Sequence, residues 1–173
     1  MGKRSFGQLL KFGGAGRGIG VILAAALIGA LPRAGHAQGA CREDTLWLKG
    51  DWGQARFTVE VADTRSARAE GLMHRSAMPA SAGMIFVYER TGPVSFWMRN
   101  TLIPLDMLFA DEHGVIQRIH HEAIPLDETP IPGGDAIRYV LEINGGMAKS
   151  LGITEGSAMR HPSFLQEIAN WPC

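Results

Sequence analysis

The chain carries two cysteines in 173 residues and lacks the short signatures that would fix a chemistry at once. It has no G-x-S-x-G elbow, no H-E-x-x-H pair, no phosphate-binding glycine loop and no C-x-x-C. Each of those works by holding reacting groups on one turn or one helix face, so their absence removes the local arguments for catalysis. It leaves open a site assembled from distant segments, as triads are. No internal repeat, heptad pattern or low-complexity tract occurs, which sets aside solenoids and coiled coils. Nor is there an apolar run of the roughly 20 residues that a spanning helix needs.

What is present begins at the N-terminus. Lys3, Arg4, Lys11 and Arg17 precede an apolar run from Ile19 to Leu31, followed by small residues at Ala34, Gly35 and Ala37. That order is a secretory signal, with cleavage expected after Ala37. Residues 1–37 are therefore read as signal peptide and 38–173 as a single β-rich domain, periplasmic or secreted. Lys3-Arg4-Ser5-Phe6 only loosely approximates a twin-arginine motif, which leaves the export route open. The formal charge of zero comes from 17 basic and 17 acidic residues. Removing Lys3, Arg4, Lys11, Arg17 and Arg33 leaves 12 against 17, a mature charge of −5. An acidic domain without a basic stripe points away from nucleic acid, and no membrane span is expected in the mature chain.

Cys41 and Cys173 stand at opposite ends of that mature chain. An even cysteine count in an exported protein favours a disulfide, and domain termini often lie close together. A bridge closing so long a loop stabilises by about 5 kcal/mol in the chain-entropy model. The competing reading, a lipid on Cys41, meets Gln38-Gly39-Ala40, which lacks the aliphatic residue such a signal carries three positions earlier.

Short β-like segments recur between turn signals. Thr45–Lys49 leads into a turn at 50–53, and Arg56–Val61 alternates with Phe57, Val59 and Val61 on one face. Further strands are predicted at Met84–Tyr88, Val94–Met98, Met107–Ala110, Val115–His121, Arg138–Ile143 and Ser157–His161. Asp63 or Thr64 caps a helix to about Met73, Gly146–Leu151 is a turn or two of helix stopped by Gly152, and 163–170 is a short terminal helix. Three prolines and two glycines make 125–134 a surface loop. The pattern predicts a mainly β fold, an antiparallel β sandwich or barrel with one or two short helices.

Two groups of residues bear on function. Met73, Met84, Met98, Met107 and Met147, with several histidines, offer ligands that suit Cu(I). No spacing concentrates them, adjacent His120 and His121 face opposite sides of a strand, and methionine also fills irregular cores. Core packing is the reading adopted, with no metal and no cofactor. The second group is Phe96-Trp97-Met98-Arg99-Asn100-Thr101, followed by Asp106, with Glu142 interrupting the apolar run from Tyr139 to Ile143. Arg99 or Arg75 paired with Asp106 or Glu142 would brace the fold. Alternatively, Trp97 floors a cleft in which arginine, amide and carboxylate recognise a polar ligand.

These residues resemble the domain-of-unknown-function 192 family. The resemblance rests on Glu70-Gly71-Leu72-Met73-x-Arg75 and Gly83-Met84-Ile85-Phe86-Val87. It continues through Phe96–Thr101, Ile103-Pro104-Leu105-Asp106 and Val140-Leu141-Glu142-Ile143, with Gly145 or Gly146. It covers roughly residues 57–159. Arg99 departs from the lysine the family often has there, keeping the charge while permitting a planar two-point contact. The resemblance implies a compact, mainly antiparallel β sandwich or barrel with a short helix, often exported, and no established activity.

Three functional expectations follow. One is a non-catalytic periplasmic domain binding a small polar or glycan-like ligand through Arg75, Trp97, Arg99, Asn100, Thr101, Asp106 and Glu142. Another is a glycan-directed hydrolase with Asp106 and Glu142 as acid and base, their carboxylates about 5–10 Å apart across an open cleft. The third is a structural or accessory partner of another envelope protein, marked by an exposed apolar patch.

Overall fold

The computed structural model describes residues 41–173; the signal segment and its cleavage site lie outside the described residues. Seven strands and two short helices follow in the order β1 (Thr45–Gly50), β2 (Gly53–Ala62), α1 (Arg65–Glu70), β3 (Ala82–Phe96), β4 (Leu105–Ala110), β5 (Ile116–Ala123), β6 (Ile131–Asn144), α2 (Met147–Leu151) and β7 (Ala158–Arg160). They form one sheet in the order β5-β4-β6-β3-β2-β1-β7. The fold is mainly β, as expected, but it is neither a sandwich nor strictly antiparallel. One sheet curls into a half-barrel, and a bridge between Val115 and Ala158 ties its two edges at one corner. The β2–β3 pair is parallel, while the other pairs run antiparallel. The parallel pair follows from the chain between them. A strand returning beside its predecessor in the same direction needs a crossover, and α1 lies in it.

The curl gives the sheet two apolar faces. Leu46, Leu48, Phe57, Ile85, Leu108 and Leu141 belong to one core, and Leu72, Phe86, Met98, Met107, Phe109 and Val140 to the other. β4 is buried along its whole length, as a strand covered on both sides must be. Of the five methionines read as packing residues, Met84, Met98 and Met107 are buried in these cores and Met147 packs against one, while Met73 is half-buried outside them.

Three sequence expectations are corrected. Met84–Tyr88 and the first three residues of Val94–Met98 fall in one strand, β3, which ends at Phe96 and whose register against β6 shifts between Val87 and Ser95; the polar stretch 89–93 is its middle rather than a turn. The predicted loop 125–134 ends early because β6 starts at Ile131. Gly133 makes that possible, since a Cβ there would stand 2.2 Å from the Phe109 ring. Residues 163–170 form turns, not a helix. The helices otherwise start and stop near where they were read. The Thr64 side chain accepts from the Ala67 N–H at 3.1 Å, and Gly152 ends α2 with φ at 73°.

Cys41 and Cys173 are disulfide-bonded across a separation of 132 residues, with Cα atoms 5.7 Å apart. The C-terminal segment lies along the core: the Leu165 N–H donates to the Tyr139 hydroxyl at 3.0 Å, and Phe164 stacks on that ring at 4.0 Å. Among the described residues no helix is long and apolar enough to cross a membrane.

Candidate functional site

The residues singled out by sequence divide into a brace and a pocket. Asp106 belongs to the brace. It is fully buried, and its carboxylate accepts three backbone N–H groups: Glu122 at 2.8 Å and Gly146 at 3.0 Å on Oδ1, and Ala148 at 2.7 Å on Oδ2. One side chain thus joins the end of β5, the turn after β6 and the start of α2. These are donors that no strand partner satisfies, so the carboxylate supplies what the backbone lacks. Arg75 is also structural. Its guanidinium makes a two-point ion pair with Glu60, the Nη2–Oε2 arm at 2.8 Å. That exposed contact holds Arg75 above its ordinary pKa and Glu60 below its own, chiefly by direct hydrogen bonding.

Asp106 and Glu142 cannot act together. Asp106 pairs with Ile143, and Met107 with Glu142, so alternation places the two carboxylates on opposite faces of the sheet. The expected hydrolase pair is corrected on this ground. Asp106 has its oxygens engaged by backbone, and the sheet itself separates it from Glu142.

Glu142 faces a pocket of about 360 Å³ between α1, β3 and β6. Phe86, Tyr88 and Phe96 of β3 form one wall, residues 68–73 the opposite one, and Trp97, Thr101 and Pro130 the mouth. The local sequence explains the shape. On β3, Met84, Phe86 and Tyr88 point the same way by strand alternation, and the Met84–Glu142 register sets the carboxyl beside them. Gly71 ends α1 with φ at 52°, and a Cβ there would stand 3.2 Å from the Phe86 ring. Glycine therefore lets Leu72 turn down into the core while Met73 stays at the wall.

Glu142 is 4% exposed, and among the described residues its carboxyl has neither a hydrogen-bond donor nor an ion-pair partner. Burial alone raises its pKa from 4.5 to about 8. The nearby cation is engaged elsewhere. Arg68 donates to the carbonyls of Asp63 and, at 2.8 Å, Val87, and lies 5.1 Å over the Tyr88 ring. Burial also raises Tyr88, with Glu142 adding to the effect.

Three loops frame the mouth, and backbone hydrogen bonds tie them together. His74 N–H donates to the Asn100 carbonyl at 2.8 Å, Leu126 N–H to the Thr101 carbonyl at 3.1 Å, and Met98 N–H to the Asp127 carbonyl at 2.8 Å. His74, Asn100 and Leu126 all have positive φ, at 64°, 55° and 64°. For leucine this conformation is costly, and such strain gathers where surrounding contacts impose it. Of the seven residues proposed from sequence, the structure brings Trp97, Thr101 and Glu142 to the pocket. Trp97 stands at the mouth, 46% exposed, rather than at the floor, and Arg99 lies 5.6 Å over its ring. Asn100 shapes the turn and reaches only the Met73 sulfur at 3.9 Å. Sequence reasoning missed Tyr88, Phe86 and Arg68 as pocket residues, and named Phe96 only as part of the motif. The alternation through Met84, Phe86 and Tyr88 was the available signal for the β3 wall.

A curled mixed sheet with a short crossover helix and a buried acid lining the pocket beside it defines a small, mainly β domain. The chain belongs to the DUF192 family ("Uncharacterized ACR"), whose model matches residues 47–161. A crystal structure of a protein of unknown function from Novosphingobium aromaticivorans is similar at 40% identity and a TM-score of 0.65, covering 66% of this chain and 82% of that one. Another, from Sinorhizobium meliloti and described as a "putative transcription regulator", is similar at 37% identity and a TM-score of 0.69, covering 73% and 99%. No curated protein matches the chain.

Proposed function

We propose that this is an exported, non-catalytic domain that binds a small ligand in the α1–β3–β6 pocket, with Glu142 as its polar anchor and Trp97 at its mouth. The observation that carries this reading is Glu142. A carboxyl that is buried without a partner destabilises the fold and braces nothing in it. Groups of that kind mark sites more often than scaffolds. The pocket supports it with an aromatic wall of Phe86, Tyr88 and Phe96 facing polar side chains, the kind of mixture a small-molecule site uses. A sugar ring is one ligand that fits this description, because its apolar face stacks on an exposed tryptophan.

The mature charge of −5 gives no support to a nucleic-acid partner. The accessory-partner reading draws on one feature: Trp97, Leu102, Ile124 and Leu126 are exposed apolar residues on the linked loops. The test is a thermal-shift screen of the mature protein against sugars, amines and other metabolites, repeated on Trp97→Ala. Hits weakened at least tenfold by the substitution support the pocket. Hits that Trp97→Ala leaves unchanged, or an absence of hits, count against it.

A further inference from the structure

Resting on the pocket reading above, we infer that the ligand is a small organic ammonium ion whose charged group meets the Glu142 carboxylate while its apolar body lies against Phe86, Phe96 and Trp97. The geometry carries this in three parts. First, the pocket is lined by a buried acid that no protein donor satisfies among the described residues, so a ligand donor is the partner its chemistry lacks. Second, the β3 wall is aromatic. Phe86 and Phe96 meet edge to face at 5.0 Å, and aromatic faces attract cations most strongly where water is thin. Third, the one cation of the wall makes no ion pair with Glu142. Arg68 is held by two backbone carbonyls and the Tyr88 ring, which leaves the carboxyl facing the cavity alone.

A neutral alcohol could accept a hydrogen bond from protonated Glu142 but would leave the acid's charged form unused. An ammonium ion draws the proton off, and the two charges then compensate each other at a largely buried position. Proton release is therefore the signature of this ligand class. Glu142 holds its proton up to about pH 8, so binding a cation at neutral pH expels it. The other titratable side chains lining the pocket are Arg68 and Glu70 from α1 and Tyr88 from β3. Burial holds the Tyr88 hydroxyl above its ordinary range, so it keeps its proton here.

The experiment is isothermal titration of the mature protein with benzylamine and its neutral isostere benzyl alcohol, in buffers of different ionisation enthalpy. Benzylamine is expected to bind at least tenfold tighter than the alcohol at pH 8. It should release about one proton per site at pH 6.5 and almost none at pH 9, with affinity rising about tenfold per pH unit between them up to pH 8. Glu142→Gln, checked by its melting curve to be folded, should lose both the preference and the proton release. Benzyl alcohol or N-acetylglucosamine binding as tightly as benzylamine, or benzylamine binding without proton release, overturns the ammonium assignment and leaves the pocket standing. Benzylamine binding unchanged in Glu142→Gln overturns it too. No binding by any of the three probes overturns both the assignment and the pocket.

Discussion

Replacing Glu142 with glutamine should stabilise this protein at neutral pH, and the gain should depend on pH in a defined way. The folded state holds the Glu142 proton until about pH 8, whereas the unfolded chain releases it near 4.5. Between those values the unfolded state binds fewer protons, so stability falls as pH rises, by about 1.4 kcal/mol per unit. Across the window the loss is on the order of 5 kcal/mol, the product of that slope and the width. Below pH 4.5 and above 8 the contribution is flat. Glutamine keeps the shape and cannot ionise, so the difference between the two proteins isolates this one group from every other titration. The assay is urea denaturation of wild type and Glu142→Gln at pH 4, 5, 6, 7 and 8. Wild type should lose ground to the variant steadily over that range, and by pH 7 the variant should be the more stable by a few kcal/mol. A difference that stays constant from pH 4 to 8 would refute the reasoning, as would one that moves in wild type's favour with rising pH.

Four further outcomes are expected. Asp106→Ala should destabilise by about 3–5 kcal/mol in the same assay, because three N–H groups lose their acceptor and each orphaned donor costs about 1–3 kcal/mol. Reducing the Cys41–Cys173 bond should cost up to about 5 kcal/mol, given the length of the loop it closes, read as a shift in denaturation midpoint under dithiothreitol. Arg75→Ala should change stability by less than about 1 kcal/mol, since its bond to Glu60 is exposed, and should leave ligand affinity unaltered in titration calorimetry. Trp97→Ala should melt within about 1 kcal/mol of wild type while losing ligand affinity, because half of the side chain already faces solvent.

Much of the fold was legible because its signals are local. Alternation located Arg56–Val61, Thr64 announced α1, and the cysteine positions foretold their bond. The parallel β2–β3 pair was signalled too, by a helix lying between two strands, yet short strands with turns between them suggested an antiparallel sandwich or barrel. The long β3 was hidden because its middle has the composition of a turn. At the site, Asp106 and Glu142 look alike in sequence: each is an acid interrupting an apolar run. Their fates separate through contacts that no local pattern encodes. Asp106 meets N–H groups 16, 40 and 42 residues away, and Glu142 meets none among the described residues. The pocket itself exists only once α1 settles beside β3, which explains why Arg68 and Tyr88 drew no attention.

The most direct measurement is a carbon-13 NMR titration of the glutamate side-chain carboxyls, with Glu142→Gln supplying the assignment. One resonance, absent from the variant, should titrate near pH 8 and move to lower pH when a cationic ligand is added. If every glutamate instead titrates near 4.5, the buried, partnerless acid on which the site depends does not exist.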